Sequence, residues 1–471
     1  MEGQKEFILR TLKLISVIIL YYIIGSKSIF LYVLSLSLYK IFLSCFSNIS
    51  VKESLKKITN KRKLLNLVLL LIIVTSFLFL LLSILIGDFV SIALKLNNIS
   101  LVFIFMGLSI ITKPLIKLLS EYLEVTCNNL NYQKITIIYD ISDNLLLLVI
   151  SLFTFRIFKM KLITATALLY LSKIFSALLI IILLYLITNN KKITKTSFED
   201  KVNYQKELRL IVKKNSYKSI IRIVKNSFYY ISIIILYLVL STRYNYDSQE
   251  IEKIIVFVYF YAIEVINYLI YLAKQITNEL PKEANVTDRL YHSLKIMLTI
   301  TIIFGIISPL TCKVIFNNPN LSIYLVMVNF MAIFILLYDT TFENIKNSLV
   351  IYTSLIAGLL VKVITIIPLI NSFYRMGYNL VYGDILSTSI SMLLSTIINY
   401  IYLRNTNKTK GNYFDKILDI LFDGILLAII LMLLQFIIPI NTDSYFKSLG
   451  LIIVYLFVSI TFVKIKKKKR G

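Results

Sequence analysis

The stretch IIRIVKNSFYYISIIILYLVLS, residues 220 to 241, joins two cations to an apolar run long enough to cross a membrane. A hydrocarbon core of about 30 Å needs about 20 apolar residues in a helix. The stretch ILRTLK, residues 8 to 13, opens another such run and places Arg10 and Lys13 at the spacing of Arg222 and Lys225. The pattern predicts membrane-crossing helices in two related halves.

The composition of the whole chain supports a membrane protein. Of its 471 residues, 58% are hydrophobic and 16% are charged. A soluble chain of this length divides into several domains with polar surfaces, whereas here apolar runs recur from end to end. We therefore predict an all-α polytopic membrane protein with fourteen transmembrane helices. The predicted spans are 8–24, 29–47, 65–86, 99–118, 135–155, 162–187, 220–241, 254–273, 292–312, 321–342, 348–370, 383–403, 417–438 and 448–462.

The distribution of Lys and Arg predicts the orientation. With the N-terminus in the cytoplasm, the inner segments hold 31 Lys and Arg and the outer loops hold 10. Cytoplasmic loops carry the excess of positive charge, so both termini are predicted to be cytoplasmic, in the cytoplasmic membrane. Most of the net charge of +26 then lies on one face, where it attracts anionic membrane lipids. Because the basic runs flank spans, we expect no nucleic-acid partner.

An internal duplication follows from stretches that recur in order. IALKLNNISLVFIF (92–105) pairs with VIFNNPNLSIYLVMV (314–328), and span 135–155 pairs with span 348–370. Six helices per repeat return the chain to the same side, so the repeats are predicted to be parallel, with substrate sites between them. The predicted organisation is a six-helix lobe, a basic cytoplasmic linker, a second six-helix lobe, and two extra helices with a basic tail: 1–187, 188–219, 220–404 and 405–471.

Several enzyme classes find no support in the sequence. Cys45, Cys127 and Cys312 are far apart and lack metal-ligand spacing, and His292 is the only histidine. We predict no catalytic residues, no metal site and no cofactor other than Na⁺ or H⁺ as a coupling ion. The segment 188–219 is too short for a nucleotide-binding domain. We therefore expect a protein that is not an enzyme.

Ionisable residues inside spans are candidate functional residues, because an unpaired charge in a membrane costs several kcal/mol. The candidates for a substrate cavity are Arg222, Lys225, Arg10, Lys13, Lys40, Glu264 and Lys362. The candidates for binding a coupling ion are Asp140 and Asp143. Lys113, Lys117 and Asp339 also fall inside spans.

Each group has a second interpretation. The pairs Arg10/Lys13 and Arg222/Lys225 lie one turn apart and would receive a phosphate or pyrophosphate, for which Arg provides a planar fork. Alternatively, both pairs extend to the lipid head groups from a helix end. Asp140 and Asp143 would bind an ion, pair with a cation such as Lys362, or lie at the interface if span five starts late.

Three stretches resemble the polysaccharide-exporter branch of the MOP superfamily. LAKQITNELPKEA (272–284) resembles the end of the family's eighth helix and retains Pro281, Glu283 and Ala284. YGDILSTSISMLLSTIINYIYLRN (382–405) resembles the twelfth helix and retains Gly383 and Thr388, with Asp384–Ile385 in place of a small pair. EYLEVTCNNLNYQKITIIYDISDN (121–144) takes the place of the family's Arg-Gly-Tyr-Phe-Gln-Gly turn, with Tyr122 and Asn128 matching loosely.

The resemblance covers almost the whole chain, and fourteen spans agree with the family's layout. It implies a flippase or exporter for a lipid-linked saccharide of the undecaprenyl-phosphate type, with envelope glycosyltransferases as partners and a role in cell-wall or sporulation polysaccharides. The family's arginines deep in the first helix are absent here, where LISVIILYYII is uncharged. Two alternatives stay open: a MATE-type multidrug or cation antiporter, and a non-transporting scaffold for envelope or spore-wall synthesis.

Overall fold

The structure is a computed structural model. It describes residues 2–24, 26–46, 51–57, 61–94, 99–127, 132–189, 204–278, 286–345, 347–407, 413–439 and 444–470. Pro281, Glu283, Ala284 and Asn128, on which part of the family resemblance depends, lie outside these residues, as do positions 190–203 of the predicted linker.

The described chain is helical, and it divides into two compact units. The first unit comprises Met1–Ile235 and Tyr246–Val256, and the second comprises Leu236–Asn245 and Phe257–Gly471. The predicted lobes at 1–187 and 220–404, and the duplication that relates them, stay predictions.

The first unit contains eleven α-helices in whole or in part. Their bounds are α1 Glu2–Ile23, α2 Ser26–Ser44, α3 Lys52–Lys57, α4 Lys61–Leu94, α5 Ser100–Ser109, α6 Thr112–Cys127, α7 Tyr132–Ser151, α8 Leu162–Leu168, α9 Leu171–Asn189, α10 Tyr204–Thr242 and α11 Ser248–Val256. A π-helical segment, Leu152–Ile157, continues α7. Within this unit α4 packs on α5, α7 on α9 and α1, and α2 on α11.

The second unit contains seven further α-helices. Their bounds are α12 Ile263–Asn278, α13 Val286–Phe316, α14 Ser322–Asn344, α15 Ser348–Arg375, α16 Val381–Asn407, α17 Tyr413–Ile437 and α18 Tyr445–Arg470. The π-helical segment Phe257–Ala262 precedes α12, and the 3₁₀ turn Pro319–Leu321 precedes α14. The pair α15 and α16 makes the most extensive contact, and α13 packs on α14, α17 and α18.

Gly383 allows α15 and α16 to approach closely. A Cβ atom at this position would lie 2.5 Å from the backbone nitrogen of Ile370 and 2.6 Å from its Cα. Contacts this short to backbone atoms cannot be relieved by rotating a side chain. The absence of a side chain at Gly383 is therefore a requirement of this crossing.

The break between α5 and α6 has a local cause. Pro114 is the third residue of α6, where its missing N–H costs little, and it cannot donate the helical hydrogen bond to the carbonyl of Ile110, four residues earlier. Predicted span 99–118 consequently consists of two helical segments.

Helix α10 runs from Tyr204 to Thr242 without interruption. The sequence between these residues contains neither Gly nor Pro, so nothing in it ends the helix. The described end of the predicted linker, residues 204–219, is therefore continuous with predicted span 220–241.

The chain is a multi-pass membrane protein. Among the described residues, eleven helical segments are long and apolar enough to span a membrane, and Ser28–Ser44 and Tyr445–Ser459 are shorter apolar helices. Each of the fourteen predicted spans overlaps a described helix. The helical membrane fold is confirmed, while the count of fourteen and the side of each terminus stay predictions.

Candidate functional site

A small basic pocket lies in the first unit beside Arg222. Its volume is about 150 Å³, and three of its lining residues are cations: Lys113 and Lys117 from α6 and Arg222 from α10. Thr136 and Tyr139 from α7 add hydroxyl groups to the lining. None of the described lining residues is acidic. The pocket thus has the charge and hydrogen-bond donors that suit an anion.

Three hydrogen bonds hold this part of α10 against the end of α2. The hydroxyl of Ser219 donates to the carbonyl of Cys45 at 3.1 Å, and the side-chain amide of Asn226 donates to the hydroxyl of Ser44 at 2.7 Å and to the carbonyl of Lys40 at 3.2 Å. Ser219 and Asn226 are three residues before and four after Arg222, so all three share one face of α10. The backbone that carries Arg222 is therefore fixed on both sides.

The guanidinium of Arg222 is accessible. Its side chain is exposed, and within the part of the chain that the structure describes it has neither an ion-pair nor a hydrogen-bond partner. A guanidinium offers five N–H donors in a plane, which match two oxygens of a phosphate. The predicted role of Arg222 as a phosphate contact stays a prediction that this geometry favours.

Asp140 is paired with one of the cations of the pocket. The ammonium of Lys113 donates to its carboxylate at 2.8 Å, and the two side chains are 40% and 25% exposed. The Lys113 ammonium also lines the basic pocket, so a ligand in the pocket can reach it.

Asp143 lies in a more buried cluster. Its carboxylate accepts hydrogen bonds from the ammonium of Lys173 at 2.7 Å and from the hydroxyl of Ser172 at 2.6 Å. The same ammonium lies 5.3 Å from the centre of the Tyr39 ring, within the range of a cation–π contact. Lys113 pairs with Asp140, and Lys173 pairs with Asp143. Na⁺ would therefore have to displace an ammonium group in order to bind either carboxylate.

The remaining predicted cavity cations of the first unit lie on three helices. Arg10 and Lys13 are half-buried on α1, Lys40 is exposed on α2, and Lys225 is half-buried on α10. Their contact with a substrate stays a prediction.

Lys362 and Asp384 form a sealed pair in the second unit. Both side chains are 0% exposed, and the ammonium nitrogen lies 3.6 Å from a carboxylate oxygen. The ammonium also donates to the hydroxyl of Thr388 at 2.7 Å. Helix α15 supplies the lysine, and α16 supplies the carboxylate and the hydroxyl. A counter-charge and a hydrogen bond together explain how a lysine is accommodated in a membrane span.

Other charged groups of the second unit are also paired. Lys274 on α12 contacts Asp339 on α14 at 2.9 Å, and Lys295 on α13 contacts Asp423 on α17 at 3.0 Å. Glu264 is 9% exposed and follows the π-helical segment Phe257–Ala262. Its place in a cavity stays a prediction.

Sequence reasoning missed the partners of Asp143 and Lys362, which are Lys173 and Asp384. It also missed the paired residues Lys274, Lys295 and Asp423. Lys173 is the twelfth residue of predicted span 162–187, and this central position already carried the signal of a buried charge. Asp384 stands at the start of its predicted span, where an interfacial position explains a carboxylate equally well. The partners of Asp140 and Asp143 are Lys113 and Lys173, whereas Lys362 pairs with Asp384.

The fold is that of known membrane transporters. The lipid II flippase MurJ, in its inward closed conformation, aligns with a TM-score of 0.64 and 15% identity over 99% of this chain and 98% of the flippase. A multidrug resistance transporter of the MATE family, in its inward-facing conformation, aligns with a TM-score of 0.60 and 12% identity over 85% of this chain and 96% of that transporter. A MOP superfamily transporter from Pyrococcus furiosus aligns with a TM-score of 0.52 and 11% identity, over 86% and 92% of the two chains.

No family model matches the sequence, and neither does any curated protein. At identities of 15% and below, the structural likeness establishes the fold and leaves the substrate open. The predicted resemblance to the MOP superfamily is confirmed at the level of this fold.

Proposed function

We propose that the protein is a flippase that moves a lipid-linked saccharide of the undecaprenyl-phosphate type across the cytoplasmic membrane by alternating access. The observation that carries the proposal is the full-length likeness to a lipid II flippase, which covers 99% of this chain. The MATE transporter leaves 15% of the chain unmatched, a share comparable with the length of α17, α18 and their connections.

The basic pocket supports an anionic substrate. Lys113, Lys117 and Arg222 line it, and Lys113 also pairs with Asp140. A basic lining attracts a phosphate or pyrophosphate and repels a cationic drug. Arg222 is the group that we assign to the phosphate, because its fork binds two oxygens at once.

Saccharide recognition and coupling complete the proposal. Sugar hydroxyls would bind Lys225 of the first unit, and Glu264 of the second unit stays a predicted cavity residue. Coupling to Na⁺ or H⁺ would act through Asp140 or Asp143, by exchange of the ion with the paired ammonium groups of Lys113 and Lys173.

The second candidate is a MATE-type antiporter, which the likeness to MATE transporters favours. An antiporter of this kind would expel a cationic compound in exchange for Na⁺ or H⁺. The carboxylates of Asp140 and Asp143 are the natural sites of exchange, since they lie among the described ion pairs of the first unit.

Reconstitution into liposomes tests both candidates. The full chain is incorporated into vesicles that contain fluorescent lipid II or fluorescent undecaprenyl-linked oligosaccharides, and translocation is followed by loss of fluorescence on adding a membrane-impermeant quencher. We expect protein-dependent translocation of at least one of these lipids. Export of ethidium driven by a Na⁺ or H⁺ gradient, with no translocation of any lipid-linked saccharide, would support the antiporter instead.

A further inference from the structure

A second pocket, of apolar character, adjoins the basic pocket in the first unit. Its volume is about 320 Å³, within the size range of ligand pockets. It is lined by Cys45 and Phe46, which directly follow α2, and by residues of α4 and α10. The principal lining side chains are Phe46, Val68, Leu71, Phe79, Ile220 and Ile223.

The two pockets share parts of their walls. Phe46 lines both of them. On α10, Ile220 and Ile223 line the apolar pocket, while Arg222, between them in the sequence, lines the basic one. An anionic group at Arg222 and a hydrocarbon chain in the apolar pocket would therefore be neighbours.

We infer that the two pockets form one site for a single-chain lipid phosphate. The phosphate binds Arg222, with Lys117 and Lys113 beside it, and the first part of the hydrocarbon chain lies between α2, α4 and α10. The inference rests on the proposed function, because it makes a polyprenyl phosphate the occupant. The basic lining complements the phosphate, and the apolar lining matches the chain.

The dimensions favour one chain over two. A cavity of about 320 Å³ holds a segment of one hydrocarbon chain, whereas a phosphoglyceride carries two chains from one head group. A polyprenyl phosphate has one chain attached directly to its phosphate. The phosphate and the chain can then occupy the two pockets without a glycerol between them.

Equilibrium binding tests the site. The full chain in detergent is titrated with radiolabelled undecaprenyl phosphate, against unlabelled undecaprenol, inorganic phosphate and phosphatidylglycerol as competitors. We expect saturable binding that undecaprenyl phosphate displaces at least about tenfold more effectively than any of the other three, since only it offers both a charge and a single chain.

Matched variants locate the binding. Arg222→Ala removes the charge, and Arg209→Ala on the same helix removes an exposed cation that lines neither pocket. Leu71→Trp fills the apolar pocket, and Leu70→Trp changes a neighbouring side chain that is 62% exposed. We expect Arg222→Ala and Leu71→Trp to weaken binding about tenfold or more, and both control variants to bind as the wild type does.

Elution volume and thermal unfolding show whether each variant is folded. Arg222→Lys is a further variant that keeps the positive charge. Binding by Arg222→Lys that falls between the wild type and Arg222→Ala supports the bidentate contact. Unchanged binding in folded Arg222→Ala and Leu71→Trp overturns the site. Equal displacement by phosphatidylglycerol overturns the assignment to a polyprenyl phosphate, and equal displacement by inorganic phosphate overturns the role of the apolar pocket.

The result is separable from that of the transport assay. If binding depends on Arg222 and Leu71 but no lipid-linked saccharide is translocated, the lipid site is supported and the proposed function is contradicted. If translocation occurs but binding does not depend on either residue, the proposed function is supported and the lipid site is contradicted.

Discussion

The Lys113–Asp140 pair of the first unit and the Lys362–Asp384 pair of the second unit differ in their access to the surroundings. Lys113 and Asp140 are 40% and 25% exposed, at 2.8 Å, and Lys113 lines a pocket. Lys362 and Asp384 are 0% exposed, at 3.6 Å, with Thr388 as the hydrogen-bond partner of the ammonium. Charges in this fold therefore occur in two settings, one open to a ligand and one closed.

We propose that this difference separates residues that bind a ligand from residues that hold helices together. Lys113 of the partly exposed pair also lines the basic pocket, so a ligand in that pocket can reach its ammonium. A sealed pair loses several kcal/mol when one partner is removed, because the other charge is left in a low-dielectric interior. We assign ligand binding to the pocket of the first unit and the fixation of α15 on α16 to the sealed pair.

Removal of the sealed ammonium should have the largest effect on stability. Lys362→Met leaves the Asp384 carboxylate buried without its cation, at an expected cost of about 3–5 kcal/mol in unfolding free energy. The double variant Lys362→Met/Asp384→Leu should recover most of this loss, since it leaves no charge behind. Thermal unfolding in detergent measures both. A single variant as stable as the wild type would remove the distinction between the two settings.

The next largest effect is expected at the close crossing of α15 and α16. Gly383→Ala places a Cβ atom 2.5 Å from the backbone nitrogen of Ile370 and should destabilise the protein by about 1–3 kcal/mol. Gly305→Ala on α13 is the control, since its Cβ meets nothing within 4 Å and alanine favours a helix by about 0.5–1 kcal/mol. Equal unfolding temperatures for the two variants would show that α15 and α16 do not require this approach.

The smallest effect on stability is expected in the exposed pair. Lys113→Met should lower the unfolding free energy less than Lys362→Met does, because the Asp140 carboxylate that it leaves is 25% exposed and that of Asp384 is 0% exposed. It should nevertheless weaken binding of undecaprenyl phosphate, since it removes a cation from the basic pocket. Stability and binding are measured on the same preparation. A large loss of stability with unchanged binding would place Lys113 in the same class as Lys362.

The sequence was sufficient for the class of fold but not for the pairing of charges. Apolar runs of about 20 residues identify spans because backbone hydrogen bonds must be satisfied within the helix. The length of α10 was not foreseen, although the lack of Gly and Pro in 204–242 is visible in the sequence. The Lys173–Asp143 pair joins residues 30 positions apart, and which charges meet depends on how α7 packs on α9. Helical periodicity gives the face of a residue but not the helix opposite it.

The two pockets also depend on which helices pack together, and the sequence does not show this. The repeated pairs Arg10/Lys13 and Arg222/Lys225 drew attention to Arg222, which lines a pocket in the structure. The cations beside it come from α6, and no spacing in the sequence connects α6 with α10. The apolar pocket depends on the gap between α2, α4 and α10, which is a property of packing and leaves no pattern in any one segment.

The most direct test of the basic pocket as a substrate site is the rate of lipid-linked saccharide translocation. The rate is compared between Arg222→Ala and Arg209→Ala, reconstituted at equal protein content. Both variants remove an exposed arginine from α10, and only Arg222 lines the basic pocket. We expect translocation by Arg222→Ala to be at least about tenfold slower than by the wild type, and translocation by Arg209→Ala to be unchanged. Equal rates for the two variants, in protein of equal thermal stability, would contradict the assignment of the first unit's basic pocket to the substrate.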